Sequence, residues 1–326
     1  MKPIEFLDVS GDYYENGKIL GQYFCSSKDF QKMLEEFNAI DPLNQDPGEI
    51  KQVLNQYCPQ LLDELKGIKD GMGITEEEAL KYFAGYDTPK LEMGCTSFMT
   101  EEYYVRNYDF SPAIYDGVFI VQELDNSWIT GNSQLILGRL DGMNHHGLVV
   151  GLHFVNNEPY TKGFLCSTIV RIVLEACQNV EEAIETLEKL PHAASYNYSL
   201  LDRSGNFAVF EATPDGHQVR RGESYLTCVN MFETDTMDSY NREFTKTSTD
   251  RLKALADYDE ATPPEELHQL FSNPESPLFY TYYEEFFGTL HTVTYLPKHN
   301  QIRLTATGKT HDIRMKECGF EVTNKS

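Results

Sequence analysis

At one point in this chain a cysteine directly follows a glycine, in Met93-Gly94-Cys95-Thr96-Ser97. The glycine leaves its own carbonyl unhindered beside the thiol. Attack of the sulfur on that carbon would exchange the peptide bond for a thioester and free the α-amine of Cys95. Water would then release Gly94 as a carboxylate. Such an amine titrates near about 7.7–8.0 when unperturbed, so close to neutral pH it can take the thiol proton. One residue then supplies both nucleophile and base. A cysteine taken alone is ordinarily a small buried apolar residue, so the neighbourhood decides. Further along, Arg106-Asn107-Tyr108-Asp109-Phe110 sets charge inside a β-prone run. If two antiparallel strands join Cys95 to this cluster, Arg106 and Asp109 return beside the thiol. Asp109 would accept from the new amine and orient it, while Arg106 would place positive charge near the thiolate.

Other candidates carry less. His145-His146 has the composition of a metal pair, but adjacent strand residues point to opposite faces, which favours a turn and no metal site. Ser97 and His153 have no aspartate at a telling distance, so spacing assembles no serine triad. The aromatic run Phe279-Tyr280-Thr281-Tyr282-Tyr283-Glu284-Glu285-Phe286-Phe287 could line a pocket for an apolar acyl group, with core or interface as its ordinary use. No phosphate-binding loop or dinucleotide fingerprint occurs, and the chemistry at Gly94-Cys95 calls for no cofactor.

The elements that must position these residues follow from periodicity. Before Cys95 the chain reads as helical: Tyr13 to Phe37, Ile50 to Ile68, and a third helix opened by the capping box Thr75-Glu76-Glu77-Glu78 and closed by Asp87-Thr88-Pro89. After Gly94 short β-prone runs succeed one another: Thr96 to Met99, Tyr103 to Tyr108, Val118 to Leu124, Gln134 to Leu140 and Leu148 to Val155. Helices are expected over Leu165 to Cys177 and Val180 to Leu190, then strands over Tyr198 to Leu201, Asn206 to Ala212 and Ser224 to Val229. Helices over Thr249 to Tyr258 and Pro264 to Phe271 precede a final hairpin, His291 to Leu296 with Gln301 to Thr307. This alternation predicts an α+β fold with helices layered on antiparallel sheets.

Composition bounds the rest. The 326 residues carry 51 acidic against 27 basic side chains, a formal charge of -24 that repels phosphate backbones and argues against a nucleic-acid partner. No run approaches the roughly 20 apolar residues that span a membrane, and an acidic N-terminus does not read as a signal peptide. Seven scattered cysteines without a C-x-x-C pair suit a reducing cytoplasm better than a disulfide framework.

Gly94-Cys95-Thr96 followed by Arg106-Asn107-Tyr108-Asp109-Phe110 resembles the nucleophile strand and hairpin of the choloylglycine hydrolase family. Met143 to Leu148 with Gly151-Leu152-His153-Phe154, Leu201 to Gly205 with Val209-Phe210-Glu211, Val229-Asn230-Met231-Phe232 and Ser248-Thr249-Asp250-Arg251-Leu252 resemble later family segments in order. The leader, with Gly11-Asp12-Tyr13-Tyr14-Glu15-Asn16-Gly17 and Gly21, is similar to the opening of the acyl-coenzyme A:6-aminopenicillanic acid acyltransferase branch, whose proenzyme cuts itself at Gly-Cys into two chains that stay together. The resemblance implies an N-terminal-nucleophile hydrolase with a four-layered αββα sandwich. Residues 1–94 would be a helical leader packed on a core of residues 95–326, together one structural domain. Carried over residue by residue, it implies Cys95 as nucleophile, Asp109 holding its amine, and Asn230 with the backbone N–H of His153 as the oxyanion hole. Arg251 and Arg106 would support the charge. Met231 stands where the family usually has histidine. The implied activity is hydrolysis of a small linear N-acyl amide, with acyl transfer to a second amine as the alternative, and an uncut binding protein on the same fold as a further one. A homo-oligomer would fit the relatives.

Overall fold

The structure is a computed structural model that describes residues 3–40, 45–88, 93–124, 127–285, 287–316 and 319–325. Its leader holds β1 (Glu5–Ser10), α1 (Tyr13–Ser26), α2 (Lys28–Ile40), α3 (Pro47–Tyr57), α4 (Gln60–Met72) and α5 (Glu76–Phe83). There follow β2 (Gly94–Thr100), β3 (Tyr104–Phe110), β4 (Val118–Leu124), β5 (Ser127–Gln134), β6 (Gly138–Asn144) and β7 (Val149–Asn156). After α6 (Cys166–Ala176) and α7 (Val180–Leu187) come β8 (Ser195–Leu201), β9 (Phe207–Thr213), β10 (Gly216–Arg220) and β11 (Tyr225–Cys228). The chain ends with α8 (Lys246–Leu255), α9 (Pro264–Ser272), β12 (Gly288–Leu296), β13 (Gln301–Ala306), β14 (Lys309–Met315) and β15 (Phe320–Lys325).

Two sheets face each other. One runs β1-β4-β5-β6-β7-β8-β9-β10 and the other β11-β2-β3-β12-β13-β14-β15. β2 packs across the gap on β7 and β8, α6 and α7 cover the outer face of the first sheet, and α9 covers the second beside β3 and β12. This is the expected αββα sandwich. Strands such as β2, β3 and β6 are buried at every residue, because each is covered on both faces. They therefore read as continuous β-prone runs and not as apolar-polar alternation.

Several expected boundaries move, each for a local reason. The helix read from Tyr13 to Phe37 is two, divided at Ser27, whose extended backbone caps α1. The one read from Ile50 to Ile68 breaks at Cys58, which stands before Pro59 and is forced out of helical geometry at φ -158°. Thr75 and Glu78 do form the capping box, but α5 ends at Phe83, before Asp87. The run Gln134 to Leu140 is not one strand: Leu135 and Ile136 take positive φ of 51° and 62° in the β5–β6 turn. The Asp116 carboxylate holds that turn, accepting from both of their backbone N–H groups, so an apolar triplet turns without glycine. β1, β10, β14 and β15 lie where no strand was expected, as does β5 but for its last residue, Gln134.

The leader is built into the core. β1 pairs in parallel with β4 from Glu5↔Val118 to Ser10↔Glu123. α1 and α4 run side by side on reciprocal glycines: an added Cβ on Gly17 would lie 2.0 Å from the Glu64 carbonyl oxygen, and one on Gly67 would lie 2.0 Å from that of Tyr14. This approach drives Glu64 inward, where Arg171 of α6 donates to it at 2.6 Å and Gln122 of β4 at 3.0 Å, with Glu64 and Arg171 fully buried.

Candidate active site

β2 and β3 form the expected antiparallel hairpin, with Gly94 opposite Asp109, Cys95 opposite Tyr108 and Ser97 opposite Arg106. Strand alternation then sorts the chemistry. Cys95, Ser97, Arg106 and Tyr108 face the other sheet, whereas Gly94, Thr96, Asn107 and Asp109 face the helices. Arg106 and Asp109 therefore lie on opposite sides of the strand, Arg106 at Cys95 and Asp109 at Gly94.

On the inner face the Arg106 guanidinium donates through Nη2 to the Cys95 sulfur at 3.1 Å and to the Leu152 carbonyl at 2.7 Å. Its Nη1 donates to Asp141 at 2.5 Å. Asp141 also accepts from His291 at 3.0 Å, Tyr295 at 2.7 Å and Asn132 at 2.8 Å. Burial alone would raise the Asp141 carboxyl, but His291, Arg106 and Tyr295 hold it well below the usual carboxylate range. Arg106 is therefore aimed by an anion that keeps its charge. Burial pushes the Cys95 thiol up to about 11, against the pull of Arg106, so the resting group is a thiol and not a thiolate.

On the other side, Arg251 of α8 donates through Nη1 to the Cys95 carbonyl and to Thr96 Oγ1, both at 2.7 Å. Its Nη2 donates to Asn230 Oδ1 at 2.8 Å. Asn230 Oδ1 also accepts from the Cys95 backbone N–H at 2.7 Å, and Asn230 Nδ2 donates to the carbonyls of Phe154 at 2.7 Å and Met93 at 3.2 Å. Two donors at one end and two carbonyls at the other fix which way the amide points. Arg251 thus grips the backbone of Cys95 and not its sulfur, and the donor end of Asn230 rests on the carbonyl one residue before Gly94.

Asp109 is fully buried. Its Oδ1 accepts from Thr289 at 2.6 Å, while Oδ2 has no hydrogen-bond partner and lies 3.6 Å from Arg251. The same oxygen lies near Gly94, where an added Cβ would be 3.3 Å from it and 2.8 Å from the Phe287 ring. Burial raises the Asp109 carboxyl above its ordinary range, opposed by Arg251, Thr289 and Arg106.

The His153 side chain reaches Ser199 at 2.9 Å and Ser97 at 3.3 Å through Nε2. Burial, then Arg106 and Arg251, hold it well below the ordinary histidine range, so it is neutral. Ser97 and His153 do meet, but with serine as the further partner no acid orients the ring. His145 and His146 occupy a turn as expected, their rings 3.7 Å apart. In the aromatic run, Tyr280 lies under the Arg251 guanidinium and Phe287 against Tyr280, so these rings border the site. Phe286 and Glu92 lie outside the described residues. Sequence reasoning missed Asp141, His291, Tyr295 and Thr289. Asp141, a charge inside the run Gly138 to Asn144, carried the one usable signal.

Two facing sheets covered by helices, with a cysteine at the start of an inner strand, define the class of protein. A model of the acyl-coenzyme A:6-aminopenicillanic acid acyl-transferase family matches residues 98–311, and the chain belongs to that family. The matched span begins just after Cys95. Comparison with curated proteins gives no match. Among solved structures, a mutant conjugated bile acid hydrolase from Clostridium perfringens is similar at 15% identity over 72% of this chain and 96% of that one, with a TM-score of 0.44. A penicillin V acylase from Agrobacterium tumefaciens is similar at 17% identity over 71% of this chain and 90% of that one, TM-score 0.41. A Caenorhabditis elegans N-acylethanolamine-hydrolyzing acid amidase ortholog is similar at 11% identity over 63% of this chain and 93% of that one, TM-score 0.43. Among the described residues no helix is long and apolar enough to cross a membrane.

Proposed function

We propose that this chain is a cysteine amidohydrolase of small linear N-acyl compounds that first cuts itself between Gly94 and Cys95. The observation that carries the reading is the treatment of Cys95. The Cys95 thiol is fully buried and bonded by Arg106, the Cys95 backbone nitrogen is bonded by Asn230, and opposite the adjoining Gly94 stands Asp109, whose Oδ2 accepts no hydrogen bond. A structural cysteine needs neither. In the self-cleavage step the sulfur adds to the Gly94 carbonyl carbon, the bond to the Cys95 nitrogen breaks, and that nitrogen takes up the thiol proton and leaves as an amine. Water releases Gly94 as a carboxylate and restores the thiol.

In turnover the freed amine, turned toward Asp109, takes the thiol proton as the sulfur attacks the substrate's acyl carbon. It passes that proton to the departing amine. The acyl-thioester is then attacked by water, giving a carboxylic acid and the thiol. The oxyanion would be met by Asn230 Nδ2, once Met93 no longer occupies it, and by the backbone N–H of His153. Arg106 stabilises the sulfur's developing charge and Arg251 holds the Cys95 carbonyl in place. The family's description favours a second reading, in which an amine and not water accepts the acyl group. A new amide among the products separates the two. The six described cysteines are all unpaired, which suits a reducing compartment such as the cytoplasm.

Intact mass under denaturing conditions, with N-terminal sequencing, tests the reading. The expected result is two pieces of 94 and 232 residues, the second beginning Cys-Thr-Ser. Cys95→Ala should give a folded, uncut and inactive chain, and Asn230→Ala should lower turnover by about 10²–10³-fold. Full amidase activity in Cys95→Ala would remove the assignment, and a wild-type chain that stays whole and inert would favour a binding protein on this fold.

A further inference from the structure

Asn197 lies within β8, opposite His153 of β7 in the sheet register. Its side chain leaves its own sheet. Nδ2 donates to the Val229 carbonyl at 3.1 Å and to the Met231 carbonyl at 2.9 Å. Those are the two oxygens that flank Asn230, in the loop leaving β11 of the other sheet. Both hydrogens of the Asn197 amide are therefore spent on the loop that presents Asn230. Asn230 reaches back, donating to the Phe154 carbonyl of β7 at 2.7 Å. Two asparagines thus stitch the sheets together beside Cys95.

The placement has a consequence for the oxyanion hole described above. Its two donors come from different sheets: the His153 N–H from the eight-stranded one and Asn230 from the loop of the seven-stranded one. Such donors work only when their spacing is held to about 0.5 Å. β11 is short and ends at Cys228, so ladder bonds do not fix Asn230. The carbonyls on either side of it are fixed by Asn197. Holding them has a cost, since Asn197 Oδ1 is buried without a hydrogen-bond partner. A side chain there for packing alone would be apolar and of the same volume.

We infer that Asn197 is a positioning residue that sets Asn230 against β7, and so completes the oxyanion hole without touching a reacting atom. The inference rests on the amidohydrolase reading, which gives Asn230 its role. The test uses processed protein and two reagents for Cys95. Acylation by p-nitrophenyl acetate passes through an oxyanion, whereas alkylation by iodoacetamide does not. Asn197→Ala should slow acylation by about 10²-fold and leave alkylation within about 3-fold of wild type, the ratio that a merely structural residue would not move. In an Asn230→Ala background the same substitution should add almost no further loss, because both act through one group. Asn197→Asp keeps the volume but faces two carbonyls with an acceptor. It should lose acylation in the same way, and it serves if the alanine variant does not fold. Acylation and alkylation falling together, losses that multiply in the double variant, or wild-type acylation by Asn197→Ala would each overturn the inference alone. A wild-type protein left unacylated at Cys95 would overturn the amidohydrolase reading and the inference with it.

Discussion

Asp109 is the residue whose cost and use can be separated. Its carboxyl is raised above the ordinary value of 3.8, chiefly by burial. The folded chain then holds a proton that the unfolded chain has already lost, so stability falls as pH rises from 3.8 through the raised value. At neutral pH the buried carboxylate is a net burden on the uncut chain. Asp109→Asn, made in the Cys95→Ala background so that both chains stay whole, should melt higher near pH 7, and the gain should vanish below pH 3.8. The same substitution in active protein should slow turnover by about 10²–10⁴-fold, because the amine loses its acceptor. Melting temperature against pH in one series and turnover in the other check the two halves. An Asp109→Asn chain that is less stable at neutral pH would show that Arg251 and Thr289 outweigh burial. At this scale the sequence was legible where polar residues interrupt a β-prone run, as Arg106 and Asp109 do, and where Gly precedes Cys. It was silent on Asn197 and His291, whose partners lie 32 and 34 residues away for the first and 150 and 176 for the second, and whose types alone carry no signal.

The elements were legible where local chemistry closes on itself. Thr75 and Glu78 cap α5 with their own side chains, and the strand Val118–Leu124 opens on four β-prone residues, Val118 to Val121. They were illegible where the deciding partner is distant. Asp116 turns Leu135 and Ile136, and β1 is a strand because β4 offers it an edge. The α1–α4 contact belongs to this second kind. Alanine at Gly67 would ordinarily stabilise a helix by about 1 kcal/mol. Here the added carbon would meet the Tyr14 carbonyl oxygen at 2.0 Å and the Lys18 nitrogen at 2.7 Å, both backbone atoms. Neither can swing away as a side chain would, so the helices must part. Gly67→Ala should destabilise the protein by about 1–3 kcal/mol, read as a fall in the urea midpoint at unchanged slope. A rise in the midpoint would mean that the two helices have room to separate.

For the whole molecule, the cut at Gly94–Cys95 would remove a covalent link from a body whose packing ignores it. β1 is hydrogen-bonded to β4 along its length, the Asn16 side chain donates to the Glu123 carbonyl at 3.1 Å, and Glu64 lies buried against Arg171. Leader side chains such as Leu20, Leu61 and Phe83 belong to the same apolar cluster as Ile120, Ile172 and Leu174 of the remainder. Taking the leader away would leave Arg171 with Glu175 as its one carboxylate, strip β4 of its partner strand β1 and open the shared apolar cluster. Arg171 would lose one of its two buried carboxylates, and the exposed apolar surface would add to that loss. The processed protein should therefore keep its full mass of 37.3 kDa per protomer, less no fragment, in native mass spectrometry. It should yield separate chains only under denaturing conditions, and residues 95–326 expressed alone should aggregate or stay unfolded. Release of the 94-residue piece from native protein that remained folded and active would make the leader a removable pro-segment, and the Glu64–Arg171 contact would then be an aid to folding and not part of the working enzyme.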